Sequence, residues 1–349
     1  MATHSADATS AAGWRPYLAA AGDGDEASAR ALVLAALDAG VGLDDVVGDI
    51  VSPALAEAGR RWFDGTWDEV HEHLACQVSE QVLTAALLAS PPAPGPAPVV
   101  SALVVCLPGD GHLLAARLGG ALLARCGATV TVLGSPVPAP ALRSRLAATP
   151  PTAVVVTATY PLALPGVREV ATAAHDAGVA VLAGGAAFGA DDRRARALGA
   201  DSWAATPAAA ARQLRRWAGR PPRLRRVPAP DREEGALLRL REPFVDGVLY
   251  ALSDRVAVRG QPDEATVNEA RRRIRMLMDG LVAAIACQDD TLVTELVAWH
   301  AGRAAALGEP AAVLAATLDA LASELDGGYP ASRRLLAAAT QALPGRATG

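Results

Sequence analysis

Lysine is absent from this 349-residue chain; all 32 basic residues are arginine. The absence reads as a coding bias toward GC-rich codons and sets no structural demand. Aromatic residues make up only 4%, against 51% hydrophobic residues overall, so the core must be built mainly from Ala, Leu and Val. The four cysteines, Cys76, Cys106, Cys126 and Cys287, are scattered and none forms a C-x-x-C pair. That pattern argues against a disulfide framework and points to a reduced, cytoplasmic chain. No apolar run reaches membrane length, and the N-terminus has no apolar signal core, so no membrane association is expected. No internal repeat of fixed period is present. The formal net charge of -5 argues against a general nucleic-acid binder. Arginines do cluster at 213–226 and 271–275, which leaves a local anion site open.

What is present is organised by two proline-rich seams. They are "SPPAPGPAP" (Ser90 to Pro98) and "GRPPRLRRVPAPDREE" (Gly219 to Glu234), and both read as linkers. They leave three blocks. Residues 14–90 show apolar spacing suited to four helices. Thr66-Trp67-Asp68-Glu69 reads as a capping box that starts the last of these. Residues 98–218 alternate apolar strand runs with helical patterns. The runs are "VVSALVVCL", "ATVTVLG", "TAVVVTAT" and "VAVLAGG", with a short fifth near "DSWAA". Strands spaced by helices predict a parallel five-stranded sheet covered on both faces, in a flavodoxin-like order. Residues 235–345 are helical again, with room for five helices. The fold class is therefore α/β with flanking all-α regions.

In such a sheet the ligand crevice lies at the carboxyl ends of the strands. The loop after the first strand reads "CLPGDGHLLAA" and carries Asp110, Gly111 and His112. A carboxylate that accepts one imidazole N–H fixes the tautomer and makes the other nitrogen a better metal ligand. Alone, the pair also describes a histidine at a helix start with Asp110 as its cap. Two further features bear on the choice. Thr157 and Thr159 end the third strand, where hydroxyls can face the crevice. Gly184-Gly185 ends the fourth, where glycines let a bulky ligand approach the backbone.

Together these residues resemble the cobalamin-binding domain of methionine synthase, the mutases and corrinoid carrier proteins. The family pattern is Asp-x-His-x-x-Gly, a Ser/Thr strand end, then Gly-Gly. The resemblance covers residues 98–218 and implies His112 as the lower cobalt ligand, with Asp110 orienting it. The last glycine of the motif is Ala115 here, which adds a methyl where the nucleotide tail would pass. Gly119 and Gly120 follow one turn later.

The first block then gains meaning. In "RRWFDGTWDEVHEHL", Trp62 is followed by Glu72-His73. This Trp-x9-Glu-His pattern resembles the helical caps of adenosylcobalamin photoreceptors, and the resemblance implies an upper pocket of Trp62, Glu72 and His73. The same residues also describe a core tryptophan and a solvated helix face. Trp62 offers a rigid apolar plate for a nucleoside, and Glu72 can accept bonds from ribose hydroxyls. The light-responsive regulators carry a histidine directly after the tryptophan; here that position is Phe63. Any histidine that caps cobalt after illumination must then be another, His71 or His73. Only about 15 residues precede the cap, too few for a DNA-binding domain, so direct regulation on DNA is not expected.

The third block resembles globin-like sensory domains, through its helix pattern and "VAWHAGRAAALGEP". Joined to a cobalamin photoreceptor it resembles the photocobilins, which also bind a linear tetrapyrrole such as biliverdin. The implied bilin contacts are Arg271 and Arg275 for propionates, drawn from the cluster that includes Arg272 and Arg273. Cys287, Trp299 and His300 are the contacts for the ring system. The same residues also describe a solvated arginine face and a core histidine. The arginines cannot all share one face, because Arg273 points nearly opposite Arg271 and Arg275 at 100° per residue. The expectation is a light sensor, not an enzyme, that signals through a protein partner or a homo-oligomer. The rival is the corrinoid carrier of a methyltransferase system.

Overall fold

The computed structural model describes residues 6–90, 100–110, 113–134, 137–256, 263–325 and 327–343. The chain divides into two compact units. One comprises Met1–Ala97 and Arg117–Gly127, the other Pro98–Ala116 and Ala128–Gly349.

The first unit holds the helices α1 (Ala6–Gly22), α2 (Glu26–Asp38), α3 (Leu43–Asp45), α4 (Ser52–Phe63) and α5 (Glu69–Ala89). A π-helical segment, Val46–Val51, joins α3 to α4 without a break. Four helical rods result, as the apolar spacing predicts. Small side chains let them approach. Ala29, Val33, Val46, Ala54, Ala58 and Val82 are buried between them. A buried polar pair in this core is satisfied: Tyr17 donates its hydroxyl to Ser79 Oγ at 2.9 Å. Burial pushes the Tyr17 phenol up to about 12.

The start of α5 corrects the expected capping box. The N-cap is Asp68, whose Oδ1 accepts the backbone N–H of His71 at 2.9 Å. Thr66 is not available for that role. Its hydroxyl is bonded to Asp64 Oδ1, and its backbone N–H donates to the same carboxylate. The turn after α4 thus claims Thr66, and the helix begins only at Glu69.

The second unit carries β1 (Val100–Cys106), β2 (Ala128–Leu133), β3 (Ala153–Thr157), β4 (Ala180–Gly184) and β5 (Ser202–Ala204). All pair in parallel in the order β2-β1-β3-β4-β5, the flavodoxin-like order expected. The central strands are buried almost throughout, as near-continuous apolar strands in a doubly covered sheet must be. The helices of this region are α6 (Leu113–Arg125), α7 (Ala139–Ala148), α8 (Val167–Asp176), α9 (Arg193–Ala197) and α10 (Pro207–Gly219). The first turn of α6 belongs to this unit and its remainder to the other. Five helices follow: α11 (Arg232–Val256), α12 (Glu264–Cys287), α13 (Thr291–Ala306), α14 (Ala311–Glu324) and α15 (Pro330–Gln341). One apolar core runs from Leu103 on β1 to Ala339 on α15. Among the described residues, no helix is long and apolar enough to cross a membrane.

The second proline-rich seam does not behave as a free linker. Arg225 donates its backbone N–H to Asp201 Oδ1 at 2.7 Å. Asp201 Oδ2 also meets His175 Nε2 at 2.8 Å and the Val181 N–H at 2.7 Å. Gly199, at φ +89°, lies so close to Val227 that a Cβ there would sit 2.9 Å from its Cα. Glu233 and Glu234, at the start of α11, are buried. Proline supplies an extended backbone here, but buried acceptors and a close glycine contact pin it as a strap. The first seam, residues 91–98, lies outside the described residues.

Candidate functional site

The carboxyl edge of the sheet is drawn together by one buried carboxylate. Gly109, at φ +83°, turns the chain after β1, and the Asp110 N–H closes the turn on the Leu107 carbonyl at 3.1 Å. Asp110 is 7% exposed. Its Oδ2 accepts the backbone N–H of Thr159 at 2.7 Å and of Tyr160 at 3.3 Å. The loop after β1 is thus tied to the loop after β3, where the strand order reverses, which is the point where doubly wound sheets bind ligands. A carboxylate can accept on both oxygens, so this anchoring agrees with the pairing to His112 that the motif implies. Gly111 and His112 themselves lie outside the described residues. Cys106, Thr157 and Gly184 form one row across β1, β3 and β4. Thr157 and Thr159 are half-buried at this edge and Ala115 is exposed near the start of α6.

The two glycines at the end of β4 are also required by the chain's own packing. Gly185 adopts φ +104°, and a Cβ there would meet the Ala158 carbonyl oxygen at 2.4 Å. A Cβ on Gly184 would lie 3.3 Å from the Ala204 carbonyl oxygen. Side chains at these two positions would meet the chain's own backbone. The glycines let the loop after β4 fold onto the end of β3, with Ala187 N–H donating to the Ala158 carbonyl at 3.1 Å.

In the helical unit, Trp62 and Phe63 end α4 and Glu72-His73 lie in the first turns of α5. Trp62, Phe63 and Glu72 are half-buried and His73 is exposed. Glu72 is held from two sides: Cys76 donates its thiol to Oε1 at 3.1 Å, and His73 Nδ1 lies 3.3 Å from Oε2. Burial, with Glu72 beside it, pushes the Cys76 thiol up to about 12. His73 Nδ1 also meets the Glu69 carbonyl at 2.7 Å. His71 is fixed by Asp68 at 2.6 Å and by stacking on Trp67. Trp67 was not singled out in the sequence. It covers Gly22, where a Cβ would sit 2.5 Å from the indole. A glycine that meets an indole across 45 residues leaves no local sequence signal.

The residues expected to contact a bilin do not converge. Arg271 pairs with Asp246 at 2.6 Å, and Arg275 clasps Glu242 through two nitrogens. Arg273 pairs with Glu309 at 2.8 Å. Cys287 is buried, its thiol pushed up to about 12. It lies twelve residues beyond Arg275 on α12, roughly 18 Å at about 1.5 Å per residue. Trp299 and His300 meet edge to face at 5.0 Å on α13.

His300 is 7% exposed, and its Nε2 has no hydrogen-bond partner among the described residues. Burial lowers its pKa to about 4, with Arg273 and Arg303 adding to the shift and Glu269 opposing it. The unfolded chain takes up this proton near pH 6.5 and the folded chain only near pH 4. Stability is therefore full above that window and falls as pH drops through it. We expect the loss of melting temperature between pH 7 and pH 5 to be smaller in His300→Leu than in the unmutated protein. Equal losses would show that another group carries the dependence.

A cavity of about 380 Å³ opens where the sheet region meets the C-terminal helices, and it too escaped the sequence. Pro108 and Gly109 of the β1 loop form part of its wall, beside Leu162, Val282, Tyr160, Arg241 and Asp279. Arg241 donates to Asp279 at 3.0 Å. Burial raises the Asp279 carboxyl and pushes the Tyr160 phenol up to about 12.

Fold and site define a doubly wound α/β protein with its working edge at the strand-order reversal, joined to a helical bundle. The comparisons with known proteins agree. Residues 100–212 match the B12 binding domain model, and residues 15–87 match a second B12 binding domain model, that of the helical part. The chain therefore carries B12-binding domains, which imply a corrinoid cofactor. No curated protein matches the chain. Among solved structures it is similar to the monomethylamine corrinoid protein of Methanosarcina barkeri (20% identity, 56% of this chain and 94% of that one, TM-score 0.47). It is also similar to the methanol:cobalamin methyltransferase complex of the same organism (20% identity, 59% and 79%, TM-score 0.32). A third is a cobalamin-binding protein from Desulfitobacterium hafniense DCB-2 (19% identity, 58% and 96%, TM-score 0.31). At these scores the likenesses bear no functional weight.

Proposed function

We propose that this protein is a light sensor that binds adenosylcobalamin. His112 would bind the cobalt, and Trp62, Glu72 and His73 would serve the adenosyl group. The donor set fits such a group. A buried carboxylate anchored at the switch point stands two residues before an imidazole, the arrangement that favours one tautomer as a metal ligand. Bound adenosylcobalamin supplies a light-labile cobalt–carbon bond; everything else is work for the chain. Trp62 would pack against the nucleoside, and Glu72, held by Cys76 and His73, would accept from ribose hydroxyls. The observations that carry the reading are a half-buried tryptophan ending α4 and a carboxylate held by Cys76 and His73 at the start of α5. A methyl group would need neither. A linear tetrapyrrole as second chromophore belongs to the same proposal. The cavity beside Tyr160, Arg241 and Asp279 is the place for it, because Arg271, Arg275, Cys287 and Trp299 line no common pocket among the described residues.

A second reading is supported by Phe63, which stands where the light-responsive regulators have their cobalt-capping histidine. It is a corrinoid carrier that hands a methyl group to a methyltransferase. Binding of adenosylcobalamin and methylcobalamin in darkness separates the two. A preference for the adenosyl form is expected, and Trp62→Ala should reduce it on the order of thirtyfold, about 2 kcal/mol for a truncated tryptophan anchor. Equal affinities in the unmutated protein, or a spectrum that illumination leaves unchanged, would favour the carrier. The same sample incubated with biliverdin should give a red-absorbing complex that co-migrates with the protein; free-pigment behaviour removes the second chromophore.

A further inference from the structure

Charge in this chain is segregated. Residues 202–230 contain seven arginines and no acidic residue, although the whole chain is net negative at -5. The seven, from Arg212 to Arg226, are all exposed. Two structural facts turn them from a composition into a surface. On α10 the buried side is Ala210, Ala211, Leu214 and Trp217, so Arg212, Arg215 and Arg216 stand together on the opposite face at i, i+3 and i+4. The strap that follows carries Arg220, Arg223, Arg225 and Arg226, and it is pinned to Asp201 and Gly199. The cations are thus displayed along a fixed track, so a partner need not order a loose arm on binding. Arg216 and Arg220 also complement the C-terminal end of α10, and the Arg225 side chain donates to the Asp201 carbonyl at 3.5 Å, which further fixes the strap.

The character of the track selects the partner. None of the large hydrophobic residues that the structure exposes lies between Ala205 and Asp231. Protein interfaces draw their energy from aromatic and apolar anchors, and membrane-surface segments insert such residues. Nucleic-acid interfaces are polar and strongly positive, and phosphate contacts alone supply binding that ignores sequence. We infer that the arginine track from Arg212 to Arg226 docks the phosphodiester backbone of a nucleic acid without reading its bases. This inference does not depend on which cobalamin the protein holds.

The test is fluorescence anisotropy of a labelled 30-base-pair duplex with the full chain at low salt. Binding is expected, with log K falling linearly against log salt by about 0.9 per phosphate contacted. Arg212→Gln/Arg216→Gln/Arg220→Gln/Arg223→Gln should weaken it at least tenfold and flatten the slope. Removing equal charge elsewhere, in Arg239→Gln/Arg272→Gln/Arg333→Gln/Arg334→Gln, should weaken it less than threefold. Should the first variant melt lower than the unmutated protein, Arg223→Gln/Arg226→Gln on the strap replaces it, with a smaller loss expected. Absence of binding, equal loss in both fourfold variants, or full affinity in the strap variant would overturn the inference. So would polyglutamate, or vesicles containing phosphatidylserine, that bind the track while the duplex does not; these would assign it to an acidic protein or to a lipid surface.

Discussion

His112→Ala is expected to abolish His-on ligation, so that the bound cobalamin spectrum becomes that of a cofactor without a protein imidazole. Loss of a residue that only orients a metal ligand costs roughly 10–100-fold in affinity; loss of the ligand itself should cost more. Free imidazole added to His112→Ala should restore the spectrum, since the pocket would still be framed by Asp110. Asp110 must be probed differently, because it has two duties. Its Oδ2 satisfies the backbone N–H groups of Thr159 and Tyr160. Asp110→Ala leaves both without their acceptor, at about 1–3 kcal/mol for each buried donor left unpaired. Asp110→Ala should therefore lower the stability of the cofactor-free protein as well as its affinity, whereas His112→Ala should lower affinity alone. An unchanged spectrum in His112→Ala would sink the assignment of the lower ligand.

Glu234→Ala is expected to cost about 3–5 kcal/mol of stability, the usual cost of stranding one member of a buried ion pair. Glu234 is 2% exposed and pairs with Arg168, itself 12% exposed. Arg168 also donates to the Ala286 carbonyl at 3.1 Å, and its Nε has no partner among the described residues. Three helices meet at this guanidinium: α8 bears it, α11 supplies the carboxylate, and α12 supplies the carbonyl. Without Glu234, a cation remains in an apolar seam. Arg168→Met/Glu234→Leu should recover most of the loss, because neither charge is then left uncompensated. Denaturant titration of the three variants decides it. A loss below about 1 kcal/mol in Glu234→Ala would mean that water reaches the guanidinium.

Much of the fold could be read from short-range pattern. Five apolar runs became five strands, and the strand order followed from their alternation with helices. The turn at Gly109 and the place of Asp110 at the end of β1 were legible because the geometry of a strand end is local. What escaped was settled by partners distant in sequence. The seam from Gly219 to Glu234 looked like a linker by its prolines, but Asp201 and Gly199 fix it from 20 or more residues away. Gly184-Gly185 reads as room for a ligand, and the sequence alone does not show that the end of β3 and the end of β5 also demand glycine there. The arginines of α12 looked like anion ligands until Asp246, Glu242 and Glu309 came to meet them. In each case the deciding partner lies on another element, distant in sequence. The cavity at Asp279 could not be read at all, since its walls come from four separate stretches of chain.

The unbroken core from Leu103 to Ala339 restricts how this architecture can be rearranged. A chain cut after Gly219 would expose the apolar side of the loop after β3 and leave Arg168 facing water. A gene encoding only the sheet would then specify a protein short of its own cover. In this chain the sheet and the carboxyl-terminal helices accordingly share one core and are expected to unfold together. The helical bundle has a core of its own and is free to diverge at another pace.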